Sequence, residues 1–200
     1  MSTAADAADV MALLTALRLL RQPAPICALR RAPLPSGVTF LLQVVADDAA
    51  AITRAVRITG RSPDNLSEAA AFFVEQILFY EQADCYRVLG ASSSASTADL
   101  RRHVALLMRW LHPDTKAHLR EGHIDRSVFT TKVTAAWQVL KTPERRASYE
   151  ASRNDRLLIP SAVDGRLPSP ARSRQRPRLR LRRLAKDDFL TRLLFFFWGR

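Results

Sequence analysis

Leu100-Arg101-Arg102-His103-Val104-Ala105-Leu106-Leu107-Met108-Arg109-Trp110-Leu111-His112-Pro113-Asp114 is the stretch on which the fold turns. Leu100, Val104, Leu107 and Leu111 recur at steps of four, three and four, so they share one face of an α-helix. That face needs a partner. Pro113 has no amide proton and pushes the preceding residue out of the α region, so the helix is expected to stop at Leu111 or His112. The tripeptide that follows sits on a turn.

A second periodic stretch lies beyond a polar gap, with Val128, Val133, Ala136, Trp137 and Leu140 spaced so that most face the first helix, and Thr142-Pro143 closes it. Two helices joined by a loop of about a dozen residues pack most economically antiparallel, burying both apolar stripes. His112, Pro113 and Asp114 are then presented at the tip of a rigid hairpin.

These residues resemble a J domain, the module of DnaJ-type co-chaperones. The resemblance is carried by Tyr86-Arg87-Val88-Leu89-Gly90, His112-Pro113-Asp114, Ala136-Trp137-Gln138-Val139-Leu140, Thr142-Pro143-Glu144-Arg145-Arg146 and Tyr149-Glu150, in the family's order and spacing from about Asp84 to Ser152. Its expected core is Tyr86, Leu89, Leu100, Val104, Leu107, Leu111, Val133, Ala136, Trp137 and Leu140.

The resemblance implies a function without chemistry of its own. An ionised carboxylate such as that of Asp114 accepts two hydrogen bonds from an arginine in fork geometry. In J domains the matching aspartate meets an arginine of a DnaK-type chaperone and biases it toward ATP hydrolysis and client trapping. Pro113 fixes the turn, and His112 packs at the helix end and orders the loop. The basic residues Arg101, Arg102 and Arg109, with Lys116 in the loop, complete the expected chaperone-binding surface. One position departs from the family pattern: two residues before the histidine, where a Lys or Arg is usual, stands Trp110, read as a partly exposed contact residue. Phe129 also falls one residue out of the family's register, and Trp137 replaces the usual tyrosine or phenylalanine.

Towards the amino terminus, Val10 to Leu20 is apolar with helical period, but Asp6 and Asp9 precede it and no basic segment leads in. A secretory signal or transit peptide is therefore not expected, and the stretch reads as an amphipathic helix docked on the body. Gln22 to Gly37, with four prolines, reads as an irregular linker in which Arg30 and Arg31 are solvated. Val38 to Ala46 and Ala49 to Ile58 read as helices, the second capped by Asp47-Asp48 and ended by Gly60. Ser62 before Pro63 is the best-marked helix start, and that helix is expected to reach Tyr80 with Leu66, Ala70, Phe73, Ile77 and Tyr80 along one stripe. Phe72-Phe73 and Phe79-Tyr80 are read as core rather than as a client-binding surface.

Composition narrows the class. Among 200 residues, 48% hydrophobic, there are six glycines and two isolated cysteines, Cys27 and Cys85. Neither a Gly/Phe-rich linker nor zinc modules can be built from these, so the J module is of the short type, in a reducing, cytoplasmic setting and without a cofactor. His103, His112, His118 and His123 place no pair on one helical face, and no metal site is expected.

The net charge of +12 is concentrated at the end of the chain: from Arg153 to Arg200 thirteen Lys and Arg face four Asp, a net of +9, leaving +3 for the rest. Arg172, Arg174, Arg176, Arg178, Arg180, Arg182 and Arg183, among prolines, read as an extended arm attracted to an anionic surface. Each basic residue adds about 1 kcal/mol near anionic lipid. A short apolar helix follows, with Phe189, Leu193, Phe196, Phe197 and Trp198 suited to a membrane interface or to docking on the protein, and too short to span a bilayer.

The expected whole is all-α: an N-terminal helix and Pro-rich linker (1–37), a small helical domain of unknown role (38–83), a J-domain antiparallel hairpin (84–152), a disordered Arg-rich linker (153–185) and a short amphipathic helix (186–200). Its partners are a DnaK-type chaperone, an unidentified client and an anionic membrane surface at which it is peripheral. Two other readings stay open: a J-like scaffold that activates no chaperone, and a nucleic-acid-associated protein using the arginine tail.

Overall fold

A computed structural model describes residues 3–112 and 126–158, with side chains over 9–112 and 126–153. Every regular element among them is helical, because apolar residues return at helical spacing and the breaks carry caps. Helix α1 (Thr3–Arg21) buries Val10, Leu13, Ala16 and Leu19, so the N-terminal stretch is a docked amphipathic helix. A short α2 (Ile26–Arg31) lies within the segment read as irregular, and α3 (Val38–Val45) is buried on nearly all sides. Helix α4 (Ala49–Thr59) starts at Asp48, whose carboxylate accepts from the Ala51 amide, and ends at Gly60 with φ 64°.

Helix α5 (Pro63–Phe73) begins where Ser62 accepts from the Asn65 amide, then widens into a π-helical segment, Val74–Leu78. The chain leaves the helix at Phe79, which is why Phe79 rather than Tyr80 completes the buried stripe: Phe79 is buried and Tyr80 half-buried. None of Phe72, Phe73, Phe79 and Tyr80 is exposed, in agreement with a core role. Arg30 corrects the expectation of a solvated charge. Its Nε donates to Gln76 O at 2.8 Å, and its guanidinium lies 5.2 Å over the Tyr80 ring, because α2 packs on the π segment.

Helices α6 (Cys85–Val88), α7 (Thr97–Leu111), α8 (Arg126–Leu140) and α9 (Pro143–Leu158) follow. Ser96 and Asp99 form a reciprocal capping box at the start of α7, and α7 stops at Leu111, one residue before the residue that precedes proline. Two sets of contacts make α7 and α8 antiparallel. Arg146 donates both to Thr97 Oγ1 at the start of α7 and to Leu140 O at the end of α8. Trp110 and Phe129, at the opposite ends, both meet Phe79. Val128 does not join this interface: it is 47% exposed.

One apolar core runs through these helices, from Val10 to Leu140, and the described residues up to Arg153 form a single compact unit. Helix α3 links its two parts, packing on α1, α4 and α5 on one side and on α7 on the other. Leu13, Leu41, Leu66, Phe73, Leu89, Leu100, Leu107 and Leu140 are fully buried, each contributing about 2 kcal/mol. Of the expected J-module core only Trp137 departs, being half-buried. Helix α9 continues to Leu158, into the segment read as a disordered linker; Thr142 accepts from the Arg145 amide and Pro143 opens the helix, a start signal passed over in the sequence. Among the described residues no helix is long and apolar enough to cross a membrane.

Candidate functional site

The end of α7 is the place to which the sequence points. His112 is half-buried and extended, φ −62° and ψ 137°, and its amide donates weakly to Arg109 O at 3.4 Å. Pro113, Asp114 and Lys116 lie outside the described residues, as do Arg172, Arg174, Arg176, Arg178, Arg180, Arg182 and Arg183 and the apolar Phe189, Leu193, Phe196, Phe197 and Trp198. Arg101, Arg102 and Arg109 are exposed together with Ala105, so α7 presents a basic strip on the side away from the core.

Trp110 is not on that strip. It is only 5% exposed, its ring centroid 6.3 Å from that of Phe79, so the reading of a partly exposed contact residue is corrected. The physical reason is the width of the buried face. Leu100, His103, Val104, Leu107, Trp110 and Leu111 are all buried, because α8 covers one edge of α7 while α3 and Phe79 cover the other.

His103 shows what that second edge does. Its Nδ1 stands 2.9 Å from Leu89 O, which can only accept, so Nδ1 carries the proton and Nε2 accepts from the Thr39 hydroxyl at 2.7 Å. Burial holds its pKa below the usual histidine range, with the Leu89 bond working the other way. A neutral imidazole therefore pins α7 to α3 and to the α6–α7 turn. Where that edge borders the basic strip, the exposed Arg109 donates through Nη2 to Asp47 O at 3.3 Å; Asp47, in the α3–α4 corner, has φ 58°, a conformation that aspartate tolerates better than most residues.

The other end of the module is closed by α9. The Tyr86 hydroxyl donates to Glu150 Oε1 at 2.5 Å, the Cys85 amide donates to the Tyr149 hydroxyl at 3.1 Å, and Arg153 pairs with Asp84 at 3.5 Å. Arg87 donates to Leu29 O and Ala32 O, fastening the C-terminal end of α2 to α6. Tyr86 is thereby raised above the usual tyrosine range, first by burial and then by Glu150. These bonds hold α6 and α9 as a base from which the α7–α8 hairpin projects.

The sequence reading missed His103, Thr39, Asp47 and Phe79 as residues that set the position of α7. A signal existed for His103 and Trp110, which stand three and ten residues after Leu100 and so widen the apolar stripe. For Thr39, Asp47 and Phe79 no local signal existed, since their partners are distant in sequence.

The antiparallel hairpin stopped at His112, the motif residues on α6 and α9 and the basic strip are the architecture of a J domain. Residues 84–150 match the family model of the DnaJ domain, and the chain carries a J domain over that range. Two bacterial relatives are each named Chaperone protein DnaJ: that of Rickettsia bellii (strain RML369-C) is 33% identical over 82 residues and that of Rickettsia typhi (strain ATCC VR-144 / Wilmington) 37% over 83. Each match covers 41% of this chain and 21% of the relative, so the chain spans about a fifth of their length. DnaJ homolog subfamily C member 24 of Bos taurus is 31% identical over 87 residues, which are 42% of this chain and 58% of that protein. No solved structure matches the chain.

Proposed function

We propose that the chain is a co-chaperone that docks on a DnaK-type chaperone through His112, Pro113, Asp114 and the strip of Arg101, Arg102 and Arg109, and stimulates its ATP hydrolysis. The observation that carries this reading is a helix that stops at His112 inside a DnaJ domain and keeps three arginines on its open side. The protein performs no chemistry in this scheme. It is an allosteric ligand, and it shifts its partner's equilibrium only by its difference in affinity for the two states. The arginines speed encounter with an acidic surface, and Asp114 supplies the oriented contact once docked.

The test is single-turnover ATP hydrolysis by a DnaK-type chaperone with the wild type and with Asp114→Asn. Stimulation by the wild type that falls at least tenfold in the variant supports the proposal; no stimulation by either protein removes it. The second reading, a J-like scaffold without activating power, is favoured by Trp110, a buried aromatic where the resemblance places an exposed base. It predicts chaperone-independent partner capture and a flat ATPase assay.

A further inference from the structure

Phe79 lies five residues before the domain-matched range of 84–150 and is 2% exposed. Its ring centroid is 4.8 Å from Phe129 and 6.3 Å from Trp110, both in tilted arrangements that favour aromatic attraction. Its carbonyl accepts from Lys132 Nζ at 2.8 Å. Trp110 is two residues before His112, and Phe129 three after Arg126, where α8 begins. A single side chain from outside the J domain therefore touches both stems of the segment that carries Pro113 and Asp114.

Helix ends open locally at low free energy unless something beyond their own hydrogen bonds holds them. A ring wedged between two such ends couples them: neither stem can move away without giving up a contact to the other's anchor. The bond from Arg109 to Asp47 O adds a second tie on the α7 side.

We propose that Phe79 is a positioning residue for chaperone docking: it clamps the C-terminal end of α7 to the N-terminal end of α8 and so sets the fraction of molecules whose two helix ends are held in place for binding. This rests on the co-chaperone reading above for its consequence, and on the geometry alone for the clamp. If a fraction f is competent, the apparent dissociation constant rises as 1/f while the effect at saturation is unchanged. Loosening the clamp therefore moves the half-saturating concentration and spares the plateau.

The full-length chain is compared as wild type, Phe79→Ala, Phe79→Leu and Leu66→Ala, the last a buried substitution in α5 that lowers stability away from the hairpin ends. Hydrogen exchange is read at the amides of Arg109 to His112 and of Thr130 to Val133, and single-turnover stimulation of a DnaK-type chaperone is titrated. In Phe79→Ala both windows exchange roughly tenfold faster together, and the half-saturating concentration rises about five- to tenfold at an unchanged plateau. Phe79→Leu, which restores most of the bulk, recovers most of both, and Leu66→Ala leaves both windows unchanged relative to the middle of α7. Acceleration in one window only, or the same acceleration in Leu66→Ala, overturns the clamp. Joint acceleration with an unmoved half-saturating concentration overturns its role in positioning. If the wild type stimulates nothing, the co-chaperone reading falls, and the exchange windows still decide the clamp.

Discussion

Glu75 sits half-buried in the π segment, and burial pushes its carboxyl up to about 7, with the charge of Arg126 pulling the other way. Between its ordinary value of 4.5 and about 7, the folded chain keeps a proton that the unfolded chain has released, so this group makes stability fall as pH rises through that window. Glu75→Gln removes the penalty. It is expected to raise the thermal midpoint at pH 8 and to leave it unchanged at pH 4, and equal midpoints at pH 8 would show that the desolvation of Glu75 costs nothing. His103 has the opposite slope, since its pKa is depressed by burial: below the ordinary histidine value of 6.5 the unfolded chain gains a proton first, and stability is lost as pH falls.

At the scale of elements, the α6–α7 turn meets α3 at Gly90. Its φ of +65° already disfavours any other residue, and an added Cβ would stand 2.9 Å from Val38 Cγ1 and 3.3 Å from Leu78 Cδ1. Gly60 has nearly the same φ, +64°, with nothing within 4 Å of an added Cβ. The pair separates two costs. Gly60→Ala should lose only the conformational term, about 1 kcal/mol, whereas Gly90→Ala should lose that and an overpacking term of about 1–3 kcal/mol. Denaturant midpoints of the two variants check this, and equal losses would mean that α3 yields to the turn. Gly90 belongs to the module's opening motif, yet the crowding that makes it intolerant comes from helices outside the module.

The described residues up to Arg153 share one core, so the J domain is not an appendage of the N-terminal helices. Residues 84–158 alone would lose the contacts of Trp110 and Phe129 with Phe79 and the packing of α7 on α3, and so expose apolar faces. Uncovering a few large apolar side chains costs about 1.5–3 kcal/mol each, against the roughly 5–15 kcal/mol that holds a typical domain. The isolated segment is therefore expected to melt well below the full chain, with a broad transition by circular dichroism and binding of a hydrophobic dye. A sharp transition at the full-length midpoint would show that the N-terminal helices contribute nothing to the module.

The sequence by itself determined what depends on neighbours a few residues apart. The stripe of Leu100, Val104, Leu107 and Leu111, the stop before Pro113, the caps at Asp48 and Ser62 and the left-handed end at Gly60 are local periodicity and local hydrogen bonding, and all are in the structure. Tertiary structure alone decided that the edge of α7 bearing Trp110 is covered, that Phe79 and not Tyr80 is the buried aromatic, and that Arg30 is stacked rather than solvated. Each of these depends on a partner more than thirty residues away or on where a helix widens and ends. A helical pattern shows that a face is apolar, but how wide a face is buried depends on how many other helices arrive to cover it.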